Sequence, residues 1–452
     1  MLASSALVLL MTPGLAFFYG GMVRGKNVLN MIMMSISAMG LIGVLWVIYG
    51  FSVGFANDKF GGLIGDPGQF FGLKGLIGSN GAAAVAADAA NGVTAADAVK
   101  IPLAGTIPMT VFVAFQLMFA IITVALISGA VADRLKFGAW LLFAGVWATV
   151  VYFPVAHWVF DADVKDAAGN VIHHGGWLIN KIQAIDFAGG TAVHINAGAA
   201  GLALCIVLGK RKGWPTTPMR PHNLTMVMLG AGLLWFGWYG FNAGSAVSSN
   251  GLAGSTFMTT SIATCAAMLA WLLVEKIRDG KPTTLGAASG IVAGLVAITP
   301  SCSSVNVLGA LAVGAVAGIA CALAVGLKFK LGFDDSLDVV GVHLVGGVIG
   351  TLMIGFFLAP ESGASQGLGG AKGIFYGGGF DQLGKQAIGA FSVLAFSFIV
   401  SLILAYAIKF TIGLRVDEEA EFVGLDESEH AESAYDFAAV GGTARSTAVK
   451  EA

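Results

Sequence analysis

Long runs of hydrophobic residues, separated by short polar connections, follow one another along almost the whole chain. A helix needs about 20 apolar residues to cross the roughly 30 Å hydrocarbon core of a bilayer. We identify eleven such runs, at 2–22, 29–55, 107–132, 137–160, 187–208, 223–242, 256–276, 284–300, 306–327, 339–358 and 386–410. The pattern therefore predicts an all-α membrane protein with eleven transmembrane helices.

Basic residues are concentrated in every second connection between these runs. An excess of Lys and Arg in short loops is typical of the cytoplasmic side of a membrane protein. The richer connections contain Arg24, Lys26, Arg134, Lys136, Lys210, Arg211, Lys212, Arg220, Lys276, Arg278, Lys281, Lys328 and Lys330. With eleven helices, this distribution predicts an N-terminus outside the cell and a C-terminus inside it.

The odd number of runs favours two sets of five with opposite topology, followed by one final helix. Asp186 precedes the fifth run and Asp338 precedes the tenth, and each of these runs contains one histidine. Either aspartate is also explained as a helix N-cap. We expect a transmembrane domain over 1–410, with repeat halves at about 1–208 and 223–358 and a last helix at 386–410, and a cytoplasmic tail over 411–452.

The composition supports a membrane protein. Hydrophobic residues make up 56% of the chain and charged residues 11%, with a mean hydropathy of +0.83, whereas soluble domains contain roughly 25% charged residues. The 65 glycines suit helices whose backbones approach closely. The four cysteines are far apart and form no Cys-x-x-Cys pattern, so we expect neither a disulfide framework nor a metal site.

Two histidines, His194 and His343, lie inside apolar runs. An ionisable side chain within a membrane is costly and by default indicates a substrate path or a proton relay. His194 follows Asp186 by about 12 Å of helix and His343 follows Asp338 by about 7.5 Å, at 1.5 Å per residue. Because the two runs start from opposite sides, the imidazoles could meet near the middle. The alternative is that each is a core histidine bonded to a nearby carbonyl.

Several segments resemble the signature motifs of the ammonium transporter family, the Amt/Mep/Rh proteins. They are FYGGMVRGKNVLN (18–30), DFAGGTAVHINAGAAG (186–201), FGWYGFNAGS (236–245), ITPSCSSVNVLGA (298–310) and DDSLDVVGVH (334–343). The tail segment GLRVDEEAEFVGLDESEHAESAY is similar to the regulated tail of bacterial members. The resemblance implies a homotrimer with one pore per protomer, and a PII-type signalling protein as a partner at the cytoplasmic face.

The resemblance also implies a role for individual residues. Phe115, Phe119 and Phe241 match gating aromatics, Trp238 a pore wall, and Ser245 a hydroxyl of the outer vestibule; the set is completed by Asp186, His194 and His343. At the position of Phe160, many bacterial members have a tryptophan of the outer cation cage. Here the nearest tryptophan is Trp158, about 200° away around a helix. Without the resemblance, ordinary packing would explain these phenylalanines.

We therefore expect an ammonium transporter of the bacterial plasma membrane, working in the lipid bilayer. It would recruit ammonium, remove a proton and conduct ammonia through a dry pore, with the two histidines as relay. Three alternatives remain: a sensor of the same fold, for whose signalling domain the tail is short; an Rh-like channel for neutral gas; and an intramembrane enzyme, whose nucleophile or metal constellation we do not find. We expect no catalytic activity, cofactor, metal ion or nucleic-acid partner. The acidic tail is either disordered or docked.

Overall fold

The computed structural model describes residues 1–76 and 102–435. Its long helices follow the predicted hydrophobic runs. They are α1 (Leu2–Met22), α2 (Val28–Phe55), α3 (Met109–Val131), α4 (Phe137–Phe160), α5 (Gly190–Leu208), α6 (Leu224–Ala246), α7 (Gly251–Asp279), α8 (Thr284–Ile298), α9 (Val307–Leu331), α10 (Val340–Phe357) and α11 (Asp381–Thr411). Two antiparallel hairpins lie in the connections, β1 (Leu103–Ala104) with β2 (Ile107–Pro108) and β3 (Val164–Lys165) with β4 (Val171–His173).

Within the described ranges, ten helices are long and apolar enough to cross a membrane, and α8 is shorter. Its 15 residues span about 22 Å at 1.5 Å per residue. Every residue from Gly290 to Ile298 is buried, because α8 packs among α6, α7, α9 and α10. Its backbone is therefore covered by protein, and the polar turn at 299–304 that follows it is buried too, as membrane-depth backbone requires.

Several helix bounds differ from the predicted runs by a few residues. The third helix begins at Met109 because Ile107 and Pro108 form a strand instead. The last helix begins at Asp381, five residues before the predicted start. The first shift reflects a local strand and the second a helix that continues through polar residues, and a hydrophobic pattern detects neither.

Asp186 fixes the start of α5. Its carboxylate accepts hydrogen bonds from the backbone N–H groups of Gly189, Gly190, Thr191 and Ala192, at 2.7–3.1 Å. These N–H groups have no partner within the helix, so the carboxylate satisfies them. The helix therefore starts at Gly190 rather than at the predicted residue 187.

The prediction that Asp338 caps α10, as Asp186 caps α5, is wrong. Asp335 takes that part: its carboxylate accepts from the N–H groups of Val339 at 3.1 Å and Val340 at 2.7 Å. Asp338 instead has a φ of 63° and pairs with Lys328 at 2.6 Å. Asp186 precedes His194, and Asp335 precedes His343, by the same eight positions, so α5 and α10 have capping aspartates at the same spacing from their histidines.

The described part of the tail is folded against the helices, through α12 (Glu418–Val423) and α13 (Leu425–His430). We call the surface that it covers the tail face, and the opposite surface, formed by the hairpins and the connections near 161–189 and 358–380, the loop face. The alternative of a disordered tail is therefore wrong for residues 411–435. Residues 436–452 lie outside the described residues.

Two acidic side chains anchor the tail. The Glu421 carboxylate, 1% exposed, pairs with Arg415 at 2.6 Å and accepts from the N–H of Lys212 at 2.6 Å. Asp426 accepts from the N–H of Asn30 at 2.8 Å. Gly424 joins the two short helices with a φ of 121°, and a Cβ there would lie 2.6 Å from the carbonyl oxygen of Lys26, so only glycine fits this close approach.

Candidate functional site

The two histidines meet in the interior. Nδ1 of His194 lies 3.2 Å from Nδ1 of His343, and the residues are 1% and 3% exposed. One ring must carry its hydrogen on Nδ1 and the other must accept it. The Nε2 atom of His194 is buried and has no hydrogen-bond partner among the residues that the structure describes. The alternative of two separate core histidines, each bonded to a carbonyl, does not fit this geometry.

Both histidines lie in π-helical turns at the start of their helices, Gly190–Ile195 in α5 and Val340–Leu344 in α10. Single π-turns occur frequently at functional sites. Glycines let the two helices approach: a Cβ at Gly198 would lie 2.6 Å from the backbone nitrogen of Leu344, and one at Gly347 3.0 Å from the carbonyl oxygen of Gly190. The close crossing of α5 and α10 therefore brings the imidazoles together.

A narrow cavity, which we call the lumen, runs beside the histidine pair. The volume open to the centre of a water-sized sphere is ≈ 10 Å³, which is about the minimum for one water molecule. Apart from the two imidazoles and the indole of Trp238, its lining is apolar: Met11, Leu15, Phe18, Ile122, Leu126, Val193, Leu234, Phe241 and Val292. Such a space admits a small neutral molecule but opposes an ion, because burying an unpaired charge is costly.

Aromatic rings close the lumen toward the loop face. Phe119 and Phe241 stack with centroids 4.1 Å apart and planes at 22°, and both side chains are fully buried. Phe115 lies edge-on to Phe119 at 4.9 Å, and Phe160 at 6.3 Å. The four phenylalanines named from the sequence therefore form one contiguous aromatic cluster, in which no open channel separates Phe119 from Phe241.

Trp238 forms a wall beside the histidines. Its ring lies 5.3 Å from that of His194, nearly parallel at 18°. Its Nε1–H donates to the Thr299 hydroxyl at 2.8 Å, and that hydroxyl donates to the carbonyl of Leu295 at 2.7 Å. Thr299 thus fixes the indole orientation. The sequence alone does not indicate this role, although Thr299 belongs to the motif ITPSCSS.

Ser245 and Asp186 lie toward the loop face. The Ser245 hydroxyl donates to the carbonyl of Phe241 at 2.8 Å, one helical turn beyond the aromatic stack. A recess of about 540 Å³ opens beside Asp186 and Phe187. The oxygens of Asp186 are occupied by backbone N–H groups, as described above, so this residue acts on the site by shaping the turn before His194.

Trp158 does not take the place of a cage tryptophan. Its Nε1–H donates to the carbonyl of Leu63 at 2.8 Å, and its ring packs on Trp177 and Phe396, with centroids 5.7 and 4.7 Å away. Phe160 is the residue that reaches the aromatic cluster. The difference follows from the helix, which turns positions 158 and 160 in different directions.

Comparison with known proteins decides the family. A sequence profile of the Ammonium Transporter Family matches residues 1–435. This chain belongs to that family. The ammonium transporter of Mycobacterium tuberculosis is 72% identical over 98% of this chain and 91% of its own. The ammonium transporter of Aquifex aeolicus is 43% identical over 97% of this chain and 92% of its own.

Solved structures of family members share the fold. Mep2 of Saccharomyces cerevisiae superposes with a TM-score of 0.78 at 33% identity, covering 92% of this chain and 86% of Mep2. A protein described as a sensor Amt protein has a TM-score of 0.78 at 27% identity and covers 95% of this chain and 96% of its own. The family and the apolar helices make this a multi-pass protein of the plasma membrane, with ammonium or ammonia as its substrate.

Proposed function

We propose that this member of the ammonium transporter family recruits ammonium at the loop face, removes a proton, and conducts ammonia along the lumen while the proton passes through the histidine pair. The observation that carries the proposal is the 3.2 Å contact between His194 and His343 in a narrow, otherwise apolar cavity. A polar pair in such a place is costly, so by default it indicates a function.

The recruitment step uses the aromatic cluster. Phe115, Phe160 and the Ser245 hydroxyl form the outer site, where aromatic faces attract a cation and the hydroxyl accepts a hydrogen bond. The stacked Phe119 and Phe241 then exclude water and intact ions. Ammonium and potassium ions are similar in size, so a size filter separates them poorly. Deprotonation separates them completely, because potassium has no proton to lose.

The relay step follows from the ring atoms. Ammonium gives a proton to Nε2 of His194 and leaves as ammonia. The hydrogen on Nδ1 of His194 moves to Nδ1 of His343, and the hydrogen on Nε2 of His343 leaves toward the tail face. The bonds balance: one N–H forms and one breaks on each ring. Histidine suits this step because its unperturbed pKa lies near 6.5.

The membrane topology belongs to the same proposal. We infer eleven spans, with α8 as the buried eighth, an N-terminus outside and the tail face in the cytoplasm. The matching aspartate caps and π-turns of α5 and α10 support an inverted repeat of five plus five helices. The domain bounds follow: a transmembrane transporter domain to about residue 410 and a regulatory tail from 411.

The assembly is also proposed. We infer a homotrimer with a pore in each protomer, and a PII-type protein binding the tail face to control the exit of the lumen. The support is the family relationship, together with a tail whose Glu418 and Glu421 contact Lys212 of a basic connection. Native mass spectrometry of the purified protein, alone and with a PII protein, tests both statements.

Two other functions are distinguished by one experiment. A sensor of this fold would bind ammonium and pass little of it, and an Rh-like channel would pass neutral gas without current. We expect an inward current when reconstituted protein on a solid-supported membrane receives an ammonium jump, and none with a potassium jump. Ammonium uptake without current would favour the neutral channel, and binding without uptake would favour the sensor.

A further inference from the structure

A second recess lies at the end of the lumen on the tail face. Its volume is about 190 Å³, and its lining includes Met22, Leu337, Asp338 and Lys328. Met22 is one helical turn beyond Phe18 of the lumen along α1, and Asp338 is five positions before His343. The recess therefore lies beyond the lumen in the direction of the tail face, and we call it the exit recess.

The ammonium group of Lys328 is held inside the exit recess. Its Nζ donates to the carboxylate of Asp338 at 2.6 Å and to the backbone carbonyl of Asp335 at 2.9 Å. The lysine side chain is 12% exposed and that of Asp338 is 28% exposed. Both side chains are therefore largely enclosed, unlike the flexible lysines that usually form surface ion pairs.

The backbone around the recess brings Lys328 close to Asp338. A Cβ at Gly341 would lie 2.8 Å from Cγ1 and 3.0 Å from the backbone nitrogen of Val325, so α10 crosses the end of α9 in close contact. Lys328 follows Val325 by less than one turn. Asp338 has a φ of 63°, a left-handed conformation that aspartate adopts more readily than most residues, and its carboxylate faces the lysine.

The other carboxylates around the recess already have partners, which are an arginine or backbone N–H groups. Arg211 pairs with Asp334 at 2.8 Å and with Asp133 at 3.3 Å, and the Asp335 carboxylate caps α10. Asp338 is thus the one of these four aspartates whose only ion pair among the described residues is with Lys328. Without the lysine, a partly exposed carboxylate and a carbonyl would face the exit of the pore.

We propose that the exit recess is a binding site for small ammonium-type and alkali cations, which Lys328 occupies as a tethered ligand. A lysine ends in a primary ammonium group, with the same three donors as methylammonium. By filling the site, Lys328 keeps cations of the tail-face solution from collecting at the exit, where they would hinder release of the transported substrate. The inference rests on the proposed transport function.

The experiment removes the tethered cation and varies the free one. Lys328→Met and Lys328→Gln shorten the side chain by one atom and remove its charge. Lys330→Met, at an exposed lysine on the same turn, is the matched control. Each protein is reconstituted in liposomes with defined sidedness. Uptake of labelled methylammonium is measured as potassium or ammonium is raised on the tail-face side, at constant membrane potential.

We expect uptake by the wild type and by Lys330→Met to be insensitive to these cations. Uptake by the Lys328 variants should fall by about two- to fivefold, the effect of an ion pair in the measured range. Adding Asp338→Asn to Lys328→Met should restore insensitivity, because the carboxylate is then gone. A purely structural lysine would not give this reversal.

Other results overturn the inference. Cation-insensitive uptake by folded Lys328→Met and Lys328→Gln would show that no site is uncovered. Failure of both variants to elute as folded protein would make Lys328 a structural residue instead of a site occupant. Absence of uptake by the wild type would contradict the proposed function itself, which keeps the two failures distinguishable.

Discussion

At the scale of single residues, the site depends on which ring faces the pore. Phe160 lies against Phe119, whereas Trp158 is tied to Leu63 by its indole nitrogen. The sequence shows an aromatic residue at both positions, and helix geometry correctly predicts that the two side chains point in different directions. It does not reveal Thr299, which orients Trp238 through a hydrogen bond between helices distant in sequence.

Phe160→Trp should tighten recruitment of ammonium. Tryptophan is a better cation–π partner than phenylalanine, and the gain is about 0.5–1 kcal/mol, or roughly two- to fivefold in apparent affinity. The measurement is the ammonium concentration that gives half-maximal current. Phe160→Ala should shift it in the opposite direction. If Phe160→Trp, Phe160→Ala and Ser245→Ala all leave this concentration unchanged, recruitment occurs elsewhere.

At the scale of elements, hydrophobic runs predict the helices well and their ends poorly. Among the described residues, the runs identify the ten helices that are long and apolar enough to cross a membrane, and also the shorter α8, because apolar length is the dominant physical requirement of a span. The starts of α5 and α10 each depend on a single carboxylate. The sequence pattern does not distinguish Asp335 from Asp338, because both lie in one acidic segment. Only the backbone shows which carboxylate meets the N–H groups of Val339 and Val340.

The docked tail gives a prediction with a control on the same helix. Glu421→Ala should release α12, because it removes the buried carboxylate that accepts from the N–H of Lys212, a hydrogen bond to a charged group that is worth about 1.5–3 kcal/mol. Glu419 is exposed, and Glu419→Ala should leave the tail docked. The measurement is limited proteolysis of the tail together with ammonium uptake per folded protein.

Cutting the chain after Lys409 should act in the same direction. Uptake should fall without loss of membrane insertion, since the spanning helices satisfy their own backbone hydrogen bonds. Full uptake and unchanged PII binding by both Glu421→Ala and the truncated protein would make the tail a passive extension.

The hairpin of β3 and β4 carries a pH-dependent contact on the loop face. His173 Nε2 lies 2.9 Å from the Asp161 carboxylate, and the hydrogen bond to Asp161 raises the pKa of His173 above 6.5, with Asp163 adding in the same direction. His157 also contacts Asp161, at 3.1 Å. The contact is therefore fully stabilising below about pH 6.5 and is lost as the pH rises through the raised pKa.

Thermal unfolding in detergent at several pH values measures this effect. The wild type should lose stability between pH 6 and pH 8, and His173→Gln should not show this loss. His174→Gln, at the exposed neighbouring position, should behave as the wild type. Equal pH profiles for all three proteins would assign the stability change to other groups.

At the scale of the whole molecule, two helices that are far apart in the sequence converge on one pair of histidines beside an apolar cavity. Helices α5 and α10 each bring a histidine from an aspartate-capped π-turn, and glycine contacts let them cross closely enough for the rings to touch. The sequence predicts this convergence from the matched positions of the histidines. It does not predict the narrowness of the lumen, which results from the packing of residues on many helices.

The relay of His194 and His343 is the central claim, and electrical recording of their variants tests it most directly. Currents after ammonium, methylammonium and potassium jumps would be compared for the wild type, His194→Ala, His343→Ala and His194→Asp, at equal amounts of folded protein. We expect the alanine variants to lose most of the ammonium current, by about 10-fold or more if a proton-transfer step is removed, and we expect a variant that still conducts to admit potassium. Unchanged current and unchanged exclusion of potassium in both alanine variants would contradict the account.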